Sequence, residues 1–150
     1  MSLLRKAISG MQLDKIIKDI EETFIRIFGE DIRICEVKSN AEHMGYFQIS
    51  SCYIPHDYKI LLEHSEGVFN IFILDTSGAR ATLSAHKKYN PELCADNIEN
   101  ALVLLKQLLE ENDFVFLLAV NDKYYYKNSR TGEMKRVSKK ELLNAKRRGV

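Results

Sequence analysis

Four histidines, His43, His56, His64 and His86, are the side chains here best suited to move a proton near neutral pH. Each has an acid or hydroxyl within a few positions, and Glu42-His43 and His56-Asp57 are adjacent. Neighbours along a strand or loop usually point apart, whereas general acid–base work needs its groups within about 3 Å of each other or of the substrate. Spacing alone supplies no such dyad, so all four are expected in surface loops. Cys35, Cys52 and Cys94 are odd in number and widely spaced. That argues against a disulfide framework and for a reducing compartment, with each thiol a small buried hydrophobe. No Cys or His pair has metal-ligand spacing. The chain holds no phosphate-binding glycine loop, dinucleotide fingerprint, nucleophile elbow, zincin helix or EF-hand loop. No metal and no cofactor is therefore expected. An enzyme would have to assemble its site from distant residues, in a deep pocket taking in two or more of the histidines and the carboxylates.

Charge is the other chemical resource. The net charge of +1 hides a division. Residues 123–150 carry ten Lys/Arg against two Glu, a net of +8, and residues 1–122 carry twelve against nineteen, a net of −7. Such segregation bears on partners rather than on fold. The basic set is Lys135, Arg136, Lys139, Lys140, Lys146, Arg147 and Arg148. Tyr124 and Tyr126 stand beside it as a stacking platform. It can contact phosphates, or it can serve as a solvated helix face complementing its own dipole and an acidic body.

These residues need elements to hold them. At 150 residues and 45% apolar, the chain suits one domain (1–150) with a core of its own. No apolar run approaches the ~20 residues of a membrane span, and Met1–Gly10 has no signal-peptide pattern, so a cytoplasmic place is expected. Gln12–Phe28 has a helical stripe of Leu13, Ile16, Ile17, Ile20, Phe24, Ile27 and Phe28. Ser9 with Gln12 suits a capping box, and Gly29 a left-handed stop. Strand patterns follow at Ile32–Lys38, Gly45–Ile54, Tyr58–His64 and Val68–Asp75, with a weaker fifth at Ala79–Ala85. Pro91–Asn112 is the clearest helix, with Asn90 as N-cap and Pro91 at its first position. Its core stripe is Cys94, Ile98, Ala101, Leu102, Leu105, Leu108 and Leu109. Phe114–Val120 and Lys123–Asn128 form a hairpin across Asn121-Asp122, and Ser138 with Glu141 caps a short basic helix through about Arg147. The expected fold is α+β: a mainly antiparallel sheet of about six or seven strands packed by an N-terminal helix, a long central helix and a short C-terminal helix.

In the absence of a catalytic motif, the outward face of the central helix is the next candidate surface. It carries Glu92, Asp96, Glu99 and Glu110, with Val103 among them. This is either a solvated face with one stray valine or an acidic contact surface around a small apolar anchor.

The segment Y-Y-Y-K-N-S-R-T-G-E-M-K-R-V-S-K-K-E-L-L, residues 124–143, resembles the small single-domain immunity proteins of bacterial polymorphic toxin systems. The likeness lies in a tyrosine strand, a T-G-E turn and a capped helix. It covers about a seventh of the chain and carries over no site residue. It implies a non-catalytic protein that blocks a cognate toxin domain by surface complementarity. The order of elements also resembles secretion chaperones that bind unfolded effectors through a helix–sheet surface. Three expectations therefore stand. The first is a cytoplasmic binding protein meeting a basic partner through Glu92, Asp96, Glu99 and Val103. The second is a nucleic-acid-associated protein using the basic C-terminus. The third is an enzyme with a non-local site.

Overall fold

A computed structural model describes residues 10–147, with side-chain surroundings for residues 12–144. Among the described residues, helix α1 (Gly10–Phe28) leads into strands β1 (Ile32–Asn40), β2 (Tyr46–Tyr53), β3 (Tyr58–Ser65), β4 (Val68–Leu74) and β5 (Arg80–Thr82). Helix α2 (Ala95–Glu111) follows, then β6 (Val115–Val120), β7 (Lys123–Asn128), β8 (Met134–Val137) and helix α3 (Lys139–Arg147). The eight strands make one antiparallel sheet whose spatial order is the chain order. The expected class holds, with one strand more than foreseen. The addition is β8, four residues of which only Val137 is buried, too short and too charged for an alternating pattern to show.

Turn chemistry makes this meander possible. Glu66 and Gly67 sit at φ 56° and 82°, and Asn121 and Asp122 at 50° and 63°. Both pairs have the positive φ of a type I′ hairpin turn, whose twist matches that of the strands. Gly29, at φ 58°, ends α1 as expected. Ser138 Oγ accepts the Glu141 N–H at 3.2 Å and so caps α3. The partner proposed for Gln12, Ser9, lies outside the described residues.

Alternation assigns each strand two faces. The inner face (Phe47, Ile49, Ile60, Leu62, Phe69, Ile71, Ile73 and Phe116 among others) is buried under α1 and α2. α1 contributes Leu13, Ile17, Ile20, Phe24 and Phe28, and α2 contributes Ile98, Ala101, Leu102, Leu105, Leu108 and Leu109. Burying each large apolar side chain contributes about 1.5–3 kcal/mol against the entropy of ordering it. The two helices are tied to each other by Arg26–Glu99 at 2.7 Å and by Lys106 Nζ donating to Ile27 O at 3.2 Å. β1 lies at the sheet's edge and changes facing at a bulge, where its register shifts between Ile34 and Glu36.

Three local expectations are corrected. The central helix starts at Ala95, not Pro91, and Asn90 Oδ1 accepts the Glu92 N–H instead of capping the helix. The cause is tertiary. β5 pairs only with Phe72–Leu74, which leaves the first half of β4 open on that side. Pro91 O takes the Phe69 N–H at 2.9 Å, and Gly67 O takes the Leu93 N–H at 2.8 Å. Residues 91–93 are thus drawn out as a strand fragment. The cysteines are also not buried hydrophobes: all three are free, Cys35 and Cys94 are exposed, and Cys52 is half-buried. Cys35 falls at the bulge and Cys94 is the helix N-cap. Finally, the histidines are not all in surface loops. His64 is on β3 and 1% exposed.

Candidate functional site

The acidic stripe is in part where its spacing placed it. Asp96, Glu99 and Val103 are three and four residues apart on α2, one face of a 3.6-residue helix. Asp96 is exposed in the first turn, where it complements the helix dipole, and Val103 is 39% exposed. Glu99 is engaged with Arg26, but this pair is open to solvent on both sides, so it is weak and free to exchange partners. Glu92 is off the helix. It is exposed in the strand fragment, bridged to Val68, and its carbonyl accepts the Asn97 side-chain amide at 2.9 Å. Three of the four residues therefore share a surface, with Glu92 ahead of it. The helix layer as a whole, residues 10–31 and 92–113, carries four Lys/Arg against twelve Asp/Glu, a net of −8.

The histidines do not converge. His43 is exposed in the β1–β2 turn, and His56 is exposed in the 3-10 turn Ile54–His56 at the other end of β2. Buried His64 clamps two turns: its Nε2 accepts the Gly67 N–H at 3.0 Å, so Nδ1 carries the proton and donates to Gly45 O at 2.8 Å. Burial pushes its pKa down, only partly offset by the bond to Gly45.

His86 makes the same pair of bonds in a different setting. The β5–β6 ladder contains one pair, Arg80 with Leu117. Continued by two residues, that register would set Thr82 opposite Val115. Instead the chain turns away after Thr82 into the 3-10 turn Leu83–Ala85. The His86 imidazole fills the gap: Nε2 accepts the Val115 N–H at 3.3 Å and Nδ1 donates to Thr82 O at 3.1 Å. One side chain thus replaces the missing ladder bond and wedges the two strands apart.

A groove of about 500 Å³ opens along this seam on the outer face. Ala81, Ala85, Val115, Leu117 and Ala119 make its apolar lining, and Leu142 of α3 borders it. Its polar groups are Arg80, Thr82, His86 and Tyr126, with no carboxylate. The Arg80 guanidinium lies 3.7 Å over the Phe72 ring. Successive pairings place Lys59, Leu74, Arg80, Leu117, Tyr126 and Lys135 in one row across six strands. Lys59, Arg80 and Lys135 form no ion pair among the described residues.

The seam has one strong tie. Asp75, in the β4–β5 turn, accepts the Lys127 Nζ of β7 at 2.7 Å. Its other oxygen accepts Ser77 N at 2.9 Å, Ser77 Oγ at 2.6 Å and Ala79 N at 3.0 Å. Burial alone would raise this carboxyl's pKa, but the bonds from Lys127, Ser77 and the Ala79 backbone outweigh it and hold it below the ordinary range.

Of the basic C-terminal set, Lys135, Arg136, Lys139 and Lys140 are exposed, and the side chains of Lys146, Arg147 and Arg148 lie outside the described residues. Tyr124 and Tyr126 share the outer face with Lys135 and Val137. Among the described residues no three His, Cys, Asp or Glu side chains cluster closely enough to hold a metal ion. No described helix is long and apolar enough to cross a membrane. Sequence periodicity did not single out Arg80, His86 or Leu117, because the groove depends on pairing between residues more than thirty positions apart. The one local signal was the alternation that puts Arg80 and Thr82 on the same face. In comparisons with known proteins, no family model, no curated protein and no solved structure matches the chain.

Proposed function

We propose that the chain is a non-catalytic protein-binding module, most concretely an immunity protein that neutralises a cognate toxin domain by covering it. What supports this is the exposed stripe of Asp96, Glu99 and Val103 on a helix layer of net charge −8. Complementary charge speeds encounter with a basic rim, such as that of a nuclease active site, and Val103 offers an apolar centre for the contact. Arg26 is a weak competitor for Glu99, because an exposed pair contributes at most about 1 kcal/mol. The test is association with a toxin domain encoded beside this chain. Asp96→Lys with Glu99→Lys should slow the on-rate and flatten its salt dependence. An unchanged rate and salt dependence would remove this surface from the contact.

A second reading, nucleic-acid binding, is favoured by one observation: Tyr124, Tyr126 and Lys135 share the outer sheet face. Its signature is binding to mixed-sequence nucleic acid that weakens steeply with salt and is lost on truncation after Gly132. Absence of binding at low salt would remove it.

A further inference from the structure

We propose that the groove at the β5–β6 seam is a binding site for a small amphipathic carboxylate, an apolar chain or ring with one anionic head. The inference is independent of the protein-binding reading, since the groove lies on the sheet face opposite α1 and α2. Three observations carry it. The first is the make-up of the cavity: about 500 Å³ and a mainly apolar lining with a few polar groups, the pattern of small-molecule sites. The second is Arg80. Stacked on Phe72, its guanidinium is held from one face, and its N–H donors lie at the rim, free to take a carboxylate in a two-bond fork. No carboxylate of the described residues takes that place, either as an ion pair or in the groove lining. The third is the row on which Arg80 stands. Lys59 and Lys135 add positive charge on both sides, so the row favours an anionic head over a neutral or cationic one.

His86 has a building role in this site, not a binding one. Both ring nitrogens are committed, to Thr82 O and Val115 N. A normal ladder bond there would bring the strands together, so the wedge keeps the seam open without leaving the Val115 N–H orphaned. The apolar tail of the ligand would lie against Val115, Leu117 and Ala119, with Leu142 closing one side.

Three probes with the same tail separate head-group recognition from simple greasiness: decanoate, decanol and decylamine, each below its aggregation limit. Titrations followed by amide chemical shifts should show saturable one-to-one binding of decanoate. Its shifts should centre on Arg80, Val115, Leu117 and Ala119, with affinity roughly tenfold or more above that of decanol. Decylamine should bind weakest. Arg80→Gln should bring decanoate down to the decanol level while leaving decanol unchanged, and Arg80→Lys should restore part of the preference. Ala119→Phe, which fills the groove from an exposed position, should weaken all three probes. The proposal is overturned by equal affinity for decanoate and decanol, by a preference that survives Arg80→Gln, or by no saturable binding. It is also overturned if the shifts centre on the cleft of about 290 Å³ between α1 and α2 lined by Ile16, Ile20, Leu93 and Ile98.

Discussion

Two histidines do the same job in the two halves of the sheet, and the difference between them separates framework from site. In the β1–β4 half the ladders run seven or eight pairs each. There His64 is buried, stacked on Phe47, and bridges Gly45 O to Gly67 N, so that two neighbouring hairpin turns are locked together. At the junction with the β6–β8 half, the ladder has shrunk to one pair, and His86 bridges Thr82 O to Val115 N across an open seam. A bridging imidazole in a complete sheet adds rigidity. In a split one it props open a groove while satisfying the backbone.

The largest break in this comparison is expected at His64. His64→Ala leaves Gly45 O and Gly67 N without partners and empties a core position, at a cost of about 3 kcal/mol, read by denaturant unfolding. The pH dependence has a definite sign. Because the folded value lies below the unfolded value of 6.5, the neutral ring contributes its stability above pH 6.5. That contribution declines as pH falls from 6.5 through the folded value. A His64→Gln variant should lack this near-neutral slope, and retention of the slope would assign it to another group.

Next in size is the tie across the seam. Asp75→Ala frees Lys127 and removes the acceptor of Ser77 and Ala79, for an expected loss of about 2 kcal/mol. The folded carboxyl titrates below the ordinary 3.8, so its contribution is complete above 3.8 and is lost only as pH falls further, through the folded value. Wild-type stability should therefore fall in two stages on acidification, His64 first and Asp75 later. His86→Ala should cost less, about 1 kcal/mol, since its bonds are part-exposed. The smallest effect is expected on the acidic helix face. Asp96→Lys and Glu99→Lys should each cost about 0.5 kcal/mol, from the lost dipole complement and the lost Arg26 pair, with their main effect on association with a partner.

What could be read from sequence follows the same division. Elements that depend on neighbours along the chain were legible. The Leu13-to-Phe28 and Ile98-to-Leu109 stripes, the Gly29 stop, the turn at Asn121-Asp122 and the Ser138 cap all rest on local period and local φ. So was the helical spacing of Asp96, Glu99 and Val103. Pro91–Leu93 departs from its local signal: Asn90-Pro91 is a good helix start, but the open side of β4 at Gly67 and Phe69 claims those residues. The groove was invisible for the same reason. Thr82, His86 and Val115 acquire their roles only when β6 arrives beside β5, and Arg80 falls in one row with Lys59 and Lys135, two and three strands away, only through the pairing of the whole sheet.

The most direct test is residue-resolved amide hydrogen exchange of the wild type and His86→Ala. If one imidazole holds the seam, the Val115 N–H should exchange at least about tenfold faster in the variant relative to global stability, with Leu117 following. Ile49, Leu62 and Ile71, in the complete ladders, should keep their protection. Unchanged exchange at Val115, or an equal loss at all five amides, would contradict the account.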